Sequence, residues 1–280
     1  MIIIKTVHEL LKWRSLITTK SIGFTPTMGA LHDGHLSLIQ QSKKQCDISC
    51  VSIFLNPLQF GGNEDLDSYP QNINEDIKKI EQVGVDMAFI PTADEIYNKQ
   101  DSFMVTENIL STRLEGESRP HFFNGVLTVV AKLFNLVQPH SAYFGMKDAQ
   151  QLILIQKMVQ NMKYPITIIP CETIREKNGL AMSSRNQYLN QTQRNNAEVI
   201  YSALMYAKEL IIGGEKDSQK IKEGIKKIIL STPGFKIDYI SIADTNTLLE
   251  IEEDISINKQ TLISLAVLFN GVRLIDNIWI

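Results

Sequence analysis

The chain has 280 residues, is 44% hydrophobic and 21% charged, and carries a formal net charge of -3. That length holds one large or two moderate domains, and the balance of charge gives no basic face for nucleic acid. The start at Met1–Lys5 is too short for a signal peptide, no apolar run reaches membrane-spanning length, and Cys46, Cys50 and Cys171 are too few and too scattered for a disulfide or zinc framework, so a cytoplasmic protein with buried thiols is expected.

Residues 6–19 read as a helix, with Val7, Leu10, Leu11 and Ile17 on one face. A strand, Ile22-Gly23-Phe24, then runs into Thr25-Pro26-Thr27-Met28-Gly29-Ala30-Leu31-His32-Asp33-Gly34-His35-Leu36, and a helix from His35 to about Lys44 runs out of it. Ile48 to Leu55 is a β-branched, apolar run of the kind that lies in a sheet covered on both faces. It ends in the loop Asn56-Pro57-Leu58-Gln59-Phe60-Gly61-Gly62. A helix is expected from Asn72 to Val83 with Gly84 as its C-cap, then a strand from Asp86 to Pro91. Residues 101–125 are polar and irregular, and an amphipathic helix follows on Val126, Val129, Val130, Leu133, Phe134 and Val137.

Ala142-Tyr143-Phe144 is a short strand entering Gly145-Met146-Lys147-Asp148. A helix follows to about Met162, and a strand from Ile166 to Pro170. This alternation predicts a doubly wound, mainly parallel α/β sheet over the first ~170 residues. Residues 176–190 break the pattern. Helices at 191–212 and 217–230, then strands at 236–243, 261–269 and 271–276, predict a smaller α+β C-terminal domain.

The stretch around His32-Asp33-Gly34-His35 carries the chemistry. A strand, a glycine turn and a helix N-terminus present unpaired N–H groups and a positive dipole end to a phosphate. Two histidines there add donors that follow charge as it builds on a phosphate. Either histidine alone reads as a loop or core residue, His35 sharing a helix face with Leu38, Ile39 and Ser42; the pair around Gly34 reads as a nucleotide site. Asn56 and Gln59 come near it if their strands are neighbours, although Asn56-Pro57 is also plain turn chemistry. Lys147 is a cation at a second strand end, or a solvated surface lysine, and Asp148 is a candidate N-cap. Ser183-Ser184-Arg185 suits phosphate oxygens, or is a solvated linker.

With these residues in view, the chain resembles the pantothenate synthetase (pantoate–β-alanine ligase) family, within the nucleotidyltransferases that share a His-x-Gly-His site. The likeness runs through Pro26–His35, Ser52–Phe60, Leu133–Pro139, Phe144–Leu152, Gly179–Asn186 and Arg273-Leu274-Ile275-Asp276-Asn277. It implies a Rossmann-like nucleotide- and pantoate-binding domain over 1–174 and a C-terminal lid domain over 175–280. It implies that pantoate and MgATP form pantoyl adenylate and pyrophosphate, and that β-alanine then gives pantothenate and AMP. No tightly bound cofactor, nucleic acid or membrane is expected, and a homodimer through the N-terminal domain is.

By the same resemblance His35 is the proton donor and His32 serves the phosphates beside it. Lys147 neutralises charge on the transferring phosphate, and Ser183, Ser184 and Arg185 hold the pyrophosphate end. Met28, Gly29, Ala30, Leu31, Asp33, Gly34, Gly145, Met146, Asp148, Ile174 and Met182 complete the ATP site. Gln59 and Gln151 bind pantoate, Gln59 also lying near β-alanine, with Asn56 and Arg119 as further substrate residues. Metal ligands are not readable: Mg²⁺ is expected to arrive with ATP, and Glu75 and Asp76 read better as helix-surface carboxylates. Two positions depart from the family. Relatives commonly read Arg-Pro-Gly-His-Phe-x-Gly, where this chain has His121 for the glycine and Phe122 for the histidine. Met146 replaces a usual acidic or amide residue. Competing functions are another nucleotidyltransferase acting on a phosphorylated small molecule, a degenerate nucleotide-binding protein, and an RNA-interacting synthetase relative.

Overall fold

The computed structural model describes residues 1–62, 64–98, 100–252, 255 and 261–280. The chain divides into two compact units. The first comprises 1–108, 119–146 and 150–172; the second comprises 109–118, 147–149 and 173–280.

In chain order the elements are β1 (Ile2–Ile4), α1 (Val7–Ser15), β2 (Ile22–Thr27), α2 (Asp33–Gln45), β3 (Ile48–Ile53), α3 (Ile73–Val83), β4 (Met87–Phe89), α4 (Ala93–Ile96), α5 (Glu115–Ser118), α6 (Phe122–Val137), β5 (Ser141–Gly145), α7 (Ala149–Asn161) and β6 (Thr167–Cys171). The six strands form one sheet in the order β1-β4-β3-β2-β5-β6, with every pair parallel. Its central strands bury both faces: Phe24, Cys50, Val51, Met87, Ala88, Phe89, Ala142 and Tyr143 have no exposed surface. This is why they read as unbroken apolar runs rather than alternating ones. From β2 the chain steps to β3 on one side, and later returns as β5 on the other. The carboxyl ends of β2 and β5 therefore flank the switch point where open α/β sheets bind ligands.

The parallel sheet is the one predicted, with differences at element ends. β1 was not expected; its three residues pair with β4 at the sheet edge, too few to show a period. β2 runs three residues past Phe24, through Pro26. Its pairing with β5 has already ended at Phe24, so a residue without an N–H lies beyond that ladder. Gly84 takes the left-handed conformation (φ +82°) and closes α3 as expected. α6 begins at Phe122 rather than Val126, and the irregular stretch before it contains α5.

The second unit continues with α8 (Gln191–Asn196), α9 (Glu198–Ile212), α10 (Ser218–Leu230), β7 (Phe235–Asp244), β8 (Thr261–Phe269) and β9 (Val272–Trp279). The helix expected over 191–212 is two helices, interrupted at Ala197. The strands form an antiparallel sheet in the order β7-β8-β9. Ile221, Ile225 and Ile229 recur every four residues on α10 and are fully buried, in one core with Ile242, Ile263 and Leu265. Each such side chain contributes about 1.5–3 kcal/mol by leaving water. α5 is tied to this sheet by charge: Arg273 on β9 meets Glu115 at 2.7 Å and Asp238 at 2.6 Å, while the Tyr239 hydroxyl donates to Glu115 at 2.9 Å.

Candidate active site

The motif loop leaves the carboxyl end of β2 under strain. Gly29 sits at φ +89° and Ala30 at +50°. A Cβ on Gly29 would come within 3.1 Å of Asp76 Oδ2 and 3.2 Å of Ile53, so that position needs glycine for its dihedral and for its space. Asp76, near the start of α3, holds the loop in place. Its Oδ2 accepts from Ala30 N–H at 2.9 Å and its Oδ1 from Leu31 N–H at 2.7 Å. Lys79, one turn on, donates to the Leu31 carbonyl at 2.7 Å. Burial pushes the Asp76 carboxyl above the usual range, against the two N–H donors that favour its charged form.

Asp76 thus departs from the surface carboxylate expected: it is 2% exposed, and both its oxygens serve the loop. Sequence reasoning missed this role. The only local signal was an acid in the first turn of a helix, which dipole chemistry already explains. Glu75 is a surface residue, paired with Lys79 at 2.7 Å. Among the described residues no group of three or more His, Cys, Asp or Glu side chains could hold a metal ion.

The two histidines cap α2 reciprocally. His32 is the N-cap, with extended backbone, and its Nδ1 accepts from Gly34 N–H at 3.2 Å. His35 Nδ1 accepts from His32 N–H at 3.4 Å. Their ring centroids lie 4.1 Å apart. An Nδ1 that accepts carries no proton, so each imidazole has its N–H at Nε2. The helix entrance therefore holds two Nε2–H donors, half-buried and side by side, at the positive end of the α2 dipole. This cap also explains why α2 starts at Asp33, two residues before the expected His35. Ala30 and Leu31 turn their side chains inward (7% and 2% exposed) and commit their N–H groups to Asp76.

The next strand end brings the predicted amides together. Asn56 follows β3 and is 1% exposed. Its Nδ2 donates to Gln59 Oε1 at 2.9 Å and to the Gly125 carbonyl at 3.1 Å. Its Oδ1 accepts from Leu58 N–H at 3.3 Å and from the Tyr97 hydroxyl at 2.7 Å. The turn chemistry of Asn56-Pro57 is thus present, and Asn56 orients Gln59 as well. The Nε2 group of Gln59 donates no hydrogen bond among the described residues, nor does the half-buried amide of Gln151 on the first turn of α7. Arg119 is otherwise engaged: it grips Glu64 with two bonds of 2.7 and 2.5 Å, donates to the Gln59 carbonyl at 3.2 Å, and lies 3.7 Å over the Phe122 ring. His121 sits at φ +79°, the left-handed region that favours glycine.

In the second unit, Lys147 lies in a three-residue turn, Met146–Asp148, between β5 and α7. Its carbonyl accepts from Asn277 Nδ2 at 2.7 Å, and its ammonium is 3.4 Å from Asp148 Oδ1. Residues 174–182 form a small hairpin: Met182 N–H donates to the Ile174 carbonyl at 3.0 Å, Arg175 pairs with Ala181, and Gly179 makes the turn at φ +94°. Ser183 follows as an N-cap, its Oγ accepting from Arg185 N–H at 3.3 Å; Ser184 is buried and Arg185 half-buried. Asn186 anchors the segment, donating to Glu176 at 2.9 Å and to the Ala181 carbonyl at 3.1 Å.

A family model described as pantoate–β-alanine ligase matches residues 2–279. The pantothenate synthetase of Pseudothermotoga lettingae is 46% identical over 278 residues, covering 99% of this chain and 98% of that one. That of Caldicellulosiruptor bescii is 45% identical over 280 residues, with 99% and 98% covered. Among solved structures, the pantothenate synthetase of Thermus thermophilus superposes with a TM-score of 0.93 at 38% identity, 99% of each chain being covered. The pantoate–β-alanine ligase of Francisella tularensis, crystallised with β-γ ATP and β-alanine, superposes with a TM-score of 0.81 at 34% identity, covering 100% of this chain and 97% of that one.

Proposed function

The chain belongs to the pantoate–β-alanine ligase family, and on that footing we propose how its own residues carry the ATP-dependent joining of (R)-pantoate to β-alanine. The observation that carries the reading is the reciprocal cap of His32 and His35. It places two Nε2–H donors at a helix N-terminus beside the sheet's switch point. A carboxylate attacking the α-phosphate of ATP needs its charge screened and the leaving pyrophosphate stabilised, both tasks for fixed donors.

In this reading Met28, Gly29, Asp33, Gly34 and Gly145 shape the nucleotide site, and His32 and His35 donate to the phosphates, His35 following the charge onto the leaving group. Lys147 neutralises the transferring phosphate. Ser183, Ser184 and Arg185, with Ile174 and Met182 behind them, hold the pyrophosphate. Gln59 and Gln151 orient pantoate through neutral amides, which position a hydroxy acid without pairing so strongly that its nucleophile is quenched. Asn56 and Arg119 act one step back, setting the side chain and the backbone of Gln59. β-Alanine then attacks the acyl carbon of pantoyl adenylate, forming the amide bond as AMP leaves. Mg²⁺ enters as part of MgATP and keeps most of its water, which suits a protein supplying few ligands. The enzyme works in the cytoplasm as a homodimer formed through the N-terminal domain, residues 1–174. Among the described residues no helix is long and apolar enough to cross a membrane.

The test is pyrophosphate release from MgATP with pantoate, with and without β-alanine. Release that depends on pantoate, followed by turnover to AMP and pantothenate once β-alanine is added, is the expected result. A nucleotidyl product retained on a phosphorylated acceptor, with no response to pantoate, would overturn it.

A further inference from the structure

We propose that Asn277 is a positioning residue for Lys147, itself held by the buried Asp276 and the half-buried Arg175 that pairs with it. The inference rests on the reading of Lys147 as the cation that meets the transferring phosphate. Arg273-Leu274-Ile275-Asp276-Asn277 is a motif of the chain that no step above uses. It lies on β9 and ends in two buried polar residues, Asp276 at 3% exposure and Asn277 at 5%. Asn277 lies 130 residues from Lys147 in sequence, yet its Nδ2 donates to the Lys147 carbonyl at 2.7 Å.

That bond falls where it is most needed. Lys147 sits in a single 3-10 turn between β5 and α7, a short element of poorer hydrogen-bond geometry than either neighbour. A lysine carries its charge on a flexible four-carbon stem, so the direction in which the stem leaves the chain decides where the ammonium can reach. Tying the carbonyl fixes that direction.

Asn277 is in turn fixed from its own side. Its N–H donates to Asp276 Oδ1 at 2.8 Å. Asp276 takes the Arg175 guanidinium on both oxygens, at 2.6 and 3.0 Å. Arg175 also donates to the Gly179 carbonyl at 3.1 Å and lies 3.9 Å over the Tyr201 ring. An ion pair with one partner buried and the other half-buried adds little net stability over an apolar pair of the same shape. What this one does is set a geometry, running from the hairpin that precedes Ser183 through β9 to Lys147.

The experiment is a double-mutant cycle on single-turnover pyrophosphate formation at saturating MgATP and pantoate. Asn277→Ala is made in the wild-type chain and in a Lys147→Ala chain. With Lys147 present, Asn277→Ala slows formation about 10- to 100-fold, the cost of a misplaced catalytic group. With Lys147 absent, the same change costs no more than about 2-fold, because there is nothing left to position. A purely structural role would give the same loss in both backgrounds, and that result, or an unchanged rate in the first, overturns the proposal. Should Asn277→Ala fail to fold by circular dichroism, Asn277→Asp keeps the shape, replaces the donor with an acceptor and enters the same cycle. If the wild-type chain releases no pyrophosphate, the reading of the reaction has failed. The positioning is then judged on ATP dissociation constants of the same four proteins, where the same pattern of coupling is required.

Discussion

At the scale of single residues, the site is built from ordinary capping chemistry turned to an unusual use. An N-cap is most often Ser, Thr, Asp or Asn. Here an imidazole takes that place, and a second imidazole closes the return bond. The same two hydrogen bonds that start α2 also decide which nitrogen of each ring carries its proton. His121 shows the opposite situation, a residue at odds with its backbone. It occupies the left-handed region at φ +79°, and its exposed side chain makes no hydrogen bond among the described residues. An L-residue there costs about 1–2 kcal/mol, partly offset by the roughly 0.5–1 kcal/mol of chain entropy that glycine loses on folding. His121→Gly is therefore expected to stabilise the chain by about 0.5–1 kcal/mol. Calorimetry should show a melting temperature higher by about 1–3 °C, with pantoate-dependent pyrophosphate release intact. A lower melting temperature would mean that the imidazole supplies a compensating contact.

At the scale of elements, close packing transmits geometry to the amides. α6 runs against the turn that carries Gln59, and Gly125 is the point of contact. A Cβ there would lie 2.1 Å from the Leu58 carbonyl oxygen and 2.9 Å from the Gln59 nitrogen, both backbone atoms. The Gly125 carbonyl is also one of the two acceptors of Asn56. Gly125→Ala must push the 57–59 turn away, taking Gln59 with it. The expected result is a pantoate KM raised about 10-fold or more, in line with the cost of displacing a positioning group, while the ATP dependence changes far less. Equal losses for both substrates would place the damage in the fold rather than in the amides proposed to hold pantoate. Gly125 was visible in the sequence as the end of a polar, irregular stretch and as the last glycine of the Arg119–Gly125 motif, with no sign of what it packs against. Its partner Leu58 lies on a distant part of the chain, beyond the reach of any local pattern.

At the scale of the whole molecule, the chain divides its polar groups between two units. The first holds the histidine pair and both glutamines, the second Lys147 and the Ser183–Arg185 segment. Ligands that bind only the folded chain raise its stability in proportion to the logarithm of their concentration over their dissociation constant. MgATP at ~100 times its dissociation constant is expected to add about 2.7 kcal/mol, visible as a rise of several degrees in melting temperature. Light scattering at working concentration is expected to give the mass of a dimer. A monomer with full activity would remove the homodimer from the proposed function.

The amino-acid sequence determined whatever acts over a few residues. Apolar runs and helical periods marked most strands and helices, because a sheet buried on both faces and a helix buried on one impose those spacings on neighbours in the chain. The strand, turn and helix start that carry His32-Asp33-Gly34-His35 were equally legible, since all three lie within one short segment. Element ends were less so: β1 is too short to show a period, β2 continues past Phe24 through Pro26, and α6 starts a turn early. Only the tertiary structure decided that Asp76, 46 residues from Ala30, is a buried brace instead of a surface acid. It likewise decided that Arg119 is engaged with Glu64, and that Asn277 reaches Lys147. The reason is physical. A cap or a period is made by atoms a turn apart on one element, whereas the partner of a buried carboxylate or amide is fixed by which strands adjoin and which helices cover them.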